Sequence, residues 1–350
     1  MEGVVAKAPW WRPDMFAKRA ANLDVRGAIL RATRVFFETR GFAEVETPAL
    51  QASPGLEPHL KAFATILEEP GAGKHRLYLH TSPEFAMKKL LAAGVPKLFQ
   101  LAHVFRNAER GATHSPEFIM LEWYRAGATY RDLMEDCRAL LIDALKAAER
   151  EFFSYQGKRS DPAMAWEIIS VAEAFQKFAG MDLLATAPDP LTPDLKLLAK
   201  AAKPLGITPH RGDSWEDLFF RIFLDRIEPK LGTPAPTLLY DYPISMAALA
   251  RAKPGDRRVA ERVELYVCGL ELANGFSELT EAKEQRARFN RDMSLKRKLY
   301  GAAYPVDEDF LAALEAGLPE SAGMALGFDR LVMLACGAAT IDQVLWAPVG

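Results

Sequence analysis

The sequence predicts one mixed α+β domain, and two observations carry that expectation. Strand-like segments occur early, at residues 97–106 and 117–125, and again late, at 263–276 and 324–326. Late strands that come back to join early ones imply a single layered domain and not two in tandem. Hydrophobic residues make up 49% and charged residues 26% of 350 positions, the balance of a globular chain. A chain of this length buries a large core without a metal or disulfide staple.

Taken in order, residues 1–20 read as an irregular lead containing Trp10 and Trp11. Residues 21–40 read as a helix, because Ile29, Leu30, Val35, Phe36 and Phe37 recur at near-helical spacing and Gly41 supplies the stop. Residues 42–50 look extended and are cut by Pro48. A short strand at 75–80 points His75 and His80 to opposite faces, which makes them a poor metal pair. Thr81-Ser82-Pro83-Glu84 starts a helix running to about Ala93, with Ser82 as cap and Pro83 at the first helical position. The strands at 97–106 and 117–125 are joined by a polar loop, and a helix over 130–152 follows. Residues 153–235 hold short amphipathic helices among many prolines, the expectation for an insertion peripheral to the main sheet. Strand character returns at 238–240 and 263–276, helix at 285–299, and a last strand at 324–326 feeds a helix over 329–335.

Charge and cysteine narrow the function classes. Forty-four Lys and Arg against 46 Asp and Glu give a net charge of −2, without the basic excess of a tight nucleic-acid binder. Lys283, Arg286, Arg288, Arg291, Lys296, Arg297 and Lys298 crowd one helix. They read as a solvated face partnered by Glu281 and Glu284, or as a docking patch. Cys137, Cys268 and Cys336 lie too far apart for a zinc or redox pair. The apolar run at 331–339 is too short to span a bilayer, and no stretch near the start has signal-peptide character. A cytoplasmic protein without membrane partners is expected.

Three constellations carry chemistry. In the strand at 117–125, Phe118, Met120, Glu122 and Tyr124 share one face while Ile119, Leu121 and Trp123 share the other. The odd face reads as core; the even face offers a ring that can stack on a base and a carboxylate–phenol pair that can hold an ammonium. In the second, a reversal near Cys268-Gly269 brings Glu264 and Glu271 to roughly 5–8 Å as cross-strand neighbours. Two carboxylates so close suit Mg²⁺ shared with phosphate. A strand that ran straight on would put them on opposite faces. The third is Gly323-Met-Ala325-Leu-Gly327-Phe-Asp329-Arg330, where small residues let a ligand approach the backbone and Arg330 opens a helix.

In this order the three resemble the class II aminoacyl-tRNA synthetases, specifically the lysyl subgroup. Residues 41–48, with Pro48, look like motif 1; Phe105-Arg106-Asn107 through Glu117-Phe118 like motif 2; and the Gly327-Phe-Asp329-Arg330 segment like motif 3. Thr81-Ser-Pro-Glu84, Leu121-Glu-Trp-Tyr124 and Glu271-Leu-Ala-Asn-Gly-Phe-Ser-Glu278 extend the match over roughly residues 20–345. The resemblance implies an antiparallel sheet flanked by helices across 1–350. Motif 1 begins almost at once, so no OB-fold anticodon-binding domain is expected. Within the subgroup, the chain is similar to freestanding members that attach (R)-β-lysine to a lysine of elongation factor P.

The resemblance also implies roles. Arg106 grips the α-phosphate and Arg330 sandwiches adenine against Phe118, both as catalytic groups; Asn107, Ala108, His114, Ser115, Glu271, Leu272 and Gly327 complete an ATP site. Glu264 and Glu271 hold Mg²⁺. Ser82, Pro83, Glu84, Glu122, Tyr124, Asn274, Glu278 and Ala325 form the amino-acid site, with Asn274 toward the carboxylate, Glu84 toward the near amine, and Glu278 with Tyr124 toward the distal ammonium. Departures concern Ala108, where the family has a carboxylate that Glu109 replaces if the loop shifts by one, and Ser115, where Asn is common. Ala325 stands where lysyl synthetases have Gly. The implied activity is ATP-dependent formation of a β-lysyl or lysyl adenylate and transfer to elongation factor P, in a homodimer built on motif 1. Alternatives are a minimal enzyme charging tRNA or another amine, against which the charge and the absent anticodon module argue, and a catalytically silent paralogue, against which the retained Arg106, Arg330, Glu264 and Glu271 argue.

Overall fold

The computed structural model describes residues 9–71 and 73–350, so residues 1–8 of the expected lead lie outside the described residues. The rest of that lead is not irregular: Pro13 at a helix start nucleates α1 (Pro13–Ala17), which leads into α2 (Ala20–Glu38). The inward residues of α2 are Leu23, Arg26, Ile29, Thr33, Phe36 and Phe37, one stripe at three- and four-residue spacing. The chain continues through β1 (Ala43–Glu44), β2 (Leu50–Gln51), β3 (Ala64–Glu69), β4 (Gly73–Leu79), α3 (Glu84–Ala92), β5 (Lys97–Phe105), β6 (Glu117–Ala126) and α4 (Tyr130–Ala147). Then come β7 (Phe153–Tyr155), β8 (Lys158–Ser160), β9 (Glu167–Ser170), α5 (Val171–Ala179), α6 (Leu195–Ala202), α7 (Trp215–Ile222), β10 (Thr237–Pro243) and β11 (Ala252–Lys253). The last elements are β12 (Asp256–Val267), β13 (Leu270–Ser277), α8 (Ala282–Tyr300), α9 (Glu308–Gly317), β14 (Ser321–Gly327) and α10 (Phe328–Cys336).

Among the described residues nine strands form the main sheet, in the order β1-β5-β6-β14-β13-β12-β10-β9, with β11 on β12. Its centre is antiparallel, as the late return of strands requires, and the edge pairs β1–β5 and β9–β10 are parallel. A parallel pair needs a long crossover. The helices α5 to α7 supply it between β9 and β10, so residues 167–170 belong to the main sheet although the sequence read the whole of 153–235 as peripheral. Those helices enclose an apolar cluster of their own, including Phe175, Trp215 and Phe219, that packs on Leu239 and Tyr266.

One sheet face carries the principal core, where Leu121, Trp123 and Leu326 meet Phe36 and Phe37 of α2, Leu140 and Leu141 of α4, and Leu331 of α10. On the other face α3, α8 and α9 pack through Phe85, Phe289 and Phe310. The helix expected to reach residue 152 stops at Ala147 because Glu149 turns left-handed, and Phe153 and Tyr155 enter the core from a hairpin instead. The basic helix α8 is not simply a solvated face. Arg288 donates to the carbonyls of Ala247 and Ala250, and Lys296 is buried against the loop at 57–60.

Candidate active site

A cavity of about 560 Å³ opens on the even face of β6, between β5–β6, the strands β13 and β14, and the loop at 57–60. That volume is in the ordinary range for small-molecule sites. Alternation along β6 sends Leu121 and Trp123 into the core and Phe118, Met120, Glu122 and Tyr124 into the cavity wall. β14 faces β6 in register, with Gly323 opposite Tyr124, Ala325 opposite Glu122 and Gly327 opposite Met120. These small residues form the floor. A Cβ at Gly323 would overlap the Tyr124 ring and come within 2.8 Å of Glu278 Oε1.

At one end stand the basic groups. The Arg106 guanidinium lies 5.4 Å from the Phe118 ring centroid, and its Nε donates weakly to Thr81 O at 3.4 Å. Arg330, from the first turn of α10, donates to the Glu271 carbonyl and reaches His114 Nε2 at 3.0 Å. Burial and the Arg330 charge push the His114 imidazole down, so it meets the guanidinium neutral. Asp329, wholly buried, takes an ion pair from Arg26 and the Ile119 N–H at 2.7 Å, which fixes the start of α10 against β6. Asn107 and Ala108 are exposed and do not line the cavity; Ala108 sits at φ 67°, and this left-handed turn places Glu109 in the wall.

The reversal at Cys268-Gly269 is a two-residue turn with φ of 55° and 79°, the geometry that a tight hairpin requires. A bulge follows: Leu265 faces Ala273 but Tyr266 faces Glu271, so Leu272 is the extra residue. The bulge moves Glu271 onto the face of Glu264 and Asn274. Glu264 nonetheless keeps both oxygens engaged, by Arg262 at 2.6 Å and by the hydroxyls of Tyr266 at 2.6 Å and Tyr242. Glu271 lines the cavity, pushed up to about 7 by burial and by Glu264 against the pull of Arg330, Arg262 and Arg106. Asn274 Oδ1 accepts from Arg262 Nε at 3.2 Å. Among the described residues no three acidic, His or Cys side chains converge as a ready metal cage. Of the two carboxylates expected to hold Mg²⁺, Glu271 lines the cavity beside the arginine end, while Glu264 lies outside the lining, paired with Arg262.

The far end is acidic. Glu122 accepts from Ser82 Oγ at 2.7 Å and Tyr124 OH at 2.5 Å, and burial with the Glu84 charge pushes it up to about 8. Ser82 also accepts the Glu84 N–H at 3.1 Å, but the helix starts one residue later than expected: Pro83, not Ser82, is the cap residue, and it does not line the cavity. Glu278 lies behind Tyr124 rather than in the wall, pushed up to about 8 chiefly by burial. Lys88, unremarked in the sequence, is 1% exposed and bridges Glu84 and Glu278 at 2.5 Å each. Burial alone would push its ammonium down, but the two carboxylates override that and hold it charged. Its signal was legible, since Lys88 is one helical turn from Glu84. Glu278 Oε1 is buried without a hydrogen-bond partner among the described residues, an acceptor left open toward the cavity floor.

A model of the tRNA synthetases class II (D, K and N) matches residues 12–349. The chain belongs to this class II synthetase family. Within it, the chain is 42% identical over 331 residues to the Elongation factor P--(R)-beta-lysine ligase of Vibrio cholerae, covering 94% of this chain and 95% of that protein. It is 41% identical over 342 residues to the ligase of the same name from Proteus mirabilis, covering 97% of each. The corresponding figures for Klebsiella pneumoniae are 42% over 340 residues and 96% of each. The class II core expected from the sequence is therefore the family's domain, and the segments expected to be motifs 2 and 3 form the β5–β6 hairpin and β14–α10.

Proposed function

We propose that the chain is an ATP-dependent ligase that activates (R)-β-lysine, and lysine less well, as an acyl-adenylate and transfers it to a lysine side chain of elongation factor P. The observation that carries this reading is the polarity of the cavity. Arg106, Phe118 and Arg330 stand at one end, Glu84, Glu122 and Tyr124 at the other with Glu278 behind them, and a floor of Gly323, Ala325 and Gly327 connects them. Similarity along nearly the full length to ligases named for this reaction supports the choice of substrates.

The chemistry follows from the residues. Phe118 and Arg330 offer two faces between which adenine stacks, with Glu109, His114, Ser115 and Leu272 around it and Gly327 admitting the nucleotide close to the backbone. Attack by the substrate carboxylate on the α-phosphorus builds negative charge beside Arg106. In-line displacement at phosphorus asks for positioning and charge stabilisation, not a protein nucleophile. Ligases of this family use ATP, typically with Mg²⁺. Glu271 would hold that ion, whose contribution is to neutralise phosphate charge, and Glu264 would anchor Arg262 behind it. Asn274 orients the carboxylate. The two substrate ammoniums meet an acidic end whose resident cation, Lys88, leaves Glu278 Oε1 open. An amino acid with one ammonium would leave buried charge unmatched there, which is how the site rejects it.

We further propose a cytoplasmic homodimer assembled on the motif 1 face, where Val35 and Leu50 are apolar and exposed. Among the described residues no helix is long and apolar enough to cross a membrane. The test is ATP–pyrophosphate exchange with (R)-β-lysine, α-lysine and other amino acids, followed by transfer to elongation factor P or to tRNA. Exchange dependent on (R)-β-lysine and modification of elongation factor P are the expected results. Transfer to tRNA alone would overturn the acceptor, and no exchange with any amino acid would overturn the enzyme.

A further inference from the structure

The second half-reaction needs a proton acceptor. A lysine side chain with an ordinary pKa near 10.4 is only about 0.1% neutral at pH 7.4, and an ammonium cannot attack an acyl carbon. Most carboxylates of the cavity are committed elsewhere. Glu84 is paired with Lys88, Glu122 accepts from Ser82 and Tyr124, Asp329 is held by Arg26 and Ile119, and Glu271 sits among the arginines.

Glu57 is different. It lies on the loop at 57–60 that closes the cavity wall, next to Glu84 and Arg106, where the adenylate's reacting carbonyl would lie between the amine and phosphate subsites. Its Oε2 is shut off from water with no hydrogen-bond partner among the described residues, against Gly55, where an added Cβ would stand 3.0 Å from it. The residue as a whole is partly exposed and lines the cavity. The loop is held rigidly. Lys296 donates to the carbonyls of Pro58 at 2.8 Å and Leu60 at 2.6 Å, the Ala62 N–H donates to Tyr304 at 2.7 Å, and Leu56 is buried in the core below.

We propose that Glu57 is the general base of the transfer step, receiving the acceptor lysine's ammonium and taking its proton. This rests on the ligase reading above. The ammonium gives one proton to the Glu57 carboxylate, and the freed nitrogen lone pair forms a bond to the acyl carbon. The bond from that carbon to the phosphate oxygen breaks, AMP leaves with its electron pair, and the second nitrogen proton passes to the departing phosphate. Burial and the Glu84 charge raise the affinity of Glu57 for protons, opposed by its own backbone N–H and by Arg106 and Lys296, which is the direction a proton acceptor needs.

The experiment compares the full-length enzyme with Glu57→Gln and Glu57→Asp in two assays. These are ATP–pyrophosphate exchange with (R)-β-lysine and single-turnover transfer of the preformed adenylate to elongation factor P. General bases contribute about 100-fold or more. Glu57→Gln should therefore lose transfer by about a hundredfold relative to exchange, and Glu57→Asp should recover part of it. Hydroxylamine, already neutral at neutral pH, should still capture the adenylate in Glu57→Gln. That result would show a folded enzyme with an intact first step. Transfer by Glu57→Gln at the wild-type rate overturns the assignment, as does loss of exchange in step with transfer. Wild-type enzyme that exchanges but leaves elongation factor P unmodified would instead refute the acceptor, and Glu57's role with it.

Discussion

Replacing Gly323 by alanine tests the substrate end of the cavity most directly. Gly323 pairs with Tyr124 across β14 and β6, and a Cβ there would overlap the Tyr124 ring and stand 2.8 Å from Glu278 Oε1. Neither neighbour can step aside. Tyr124 is buried with its hydroxyl bound to Glu122 at 2.5 Å, and Glu278 is pinned to Lys88. Overpacking of this kind costs about 1–3 kcal/mol of stability. Forcing the phenol off Glu122 breaks a buried hydrogen bond, and leaving a buried partner unsatisfied costs about 1–3 kcal/mol. If that bond shapes the ammonium site, kcat/KM for (R)-β-lysine should fall roughly 10- to 100-fold, since each 1.4 kcal/mol is about tenfold. The ATP KM should move little, because the nucleotide end lies further along β14, at Gly327. Exchange kinetics with either substrate varied, beside a urea melt, separate the two effects. A variant that melts lower yet keeps its kcat/KM for (R)-β-lysine would refute the placement of the ammonium site on Tyr124 and Glu122.

Other tests are simpler. Glu122 and Glu278 are both pushed up to about 8, so below that pH the empty pocket holds protons that an arriving ammonium must displace. Affinity for (R)-β-lysine should rise with pH up to about 8, with proton release seen by calorimetry in buffers of different ionisation enthalpy. The same shifts bear on stability. A carboxyl raised in the folded state above its ordinary 4.5 contributes stability that is complete below that value and is lost as pH rises through about 8. The melting temperature of the free enzyme should carry this falling component over that window, and (R)-β-lysine should offset it. Asp329→Ala strips the buried Arg26 of its partner, so urea denaturation should show a loss of about 3–5 kcal/mol. Ala325→Gly removes the one methyl facing Glu122 on the floor, and exchange assays should show the ratio of β-lysine to α-lysine activation moving toward α-lysine.

Much of the architecture was legible because local rules and tertiary structure agree. The stripe of α2 and the alternation of β6 each follow from spacing alone, whereas the reversal at Cys268-Gly269 stood beside a straight strand until the left-handed turn decided it. What was not legible depended on partners far away in sequence. Residues 167–170 are too few to declare a strand, and only the parallel pairing with β10 makes them one. Glu149 could be placed outside the helix only by the left-handed turn that frees Phe153 for the core. The basic helix α8 looked solvated because the carbonyls that take Arg288 and Lys296 come from loops at 247–250 and 57–60.

The same division runs through the site, and it decides which residue carries which charge. Motif spacing brought Arg106, Phe118, Glu122, Tyr124, Glu271 and Arg330 to one cavity. Spacing could not tell an available carboxylate from an engaged one. Glu264 and Glu271 read as an equal pair, yet the bulge at Leu272 turns Glu271 into the cavity while Glu264 is consumed by Arg262 and two tyrosines. At the acidic end the reverse holds. Glu84 and Glu278 are half-neutralised by Lys88 before any substrate arrives, so what they offer is the oxygen Lys88 leaves uncovered. Availability, set by hydrogen bonds across distant strands, is the property that a linear motif does not encode. It is also why Glu57, outside every motif, emerges only from the structure, as a carboxylate in the cavity wall with an unpartnered oxygen among the described residues.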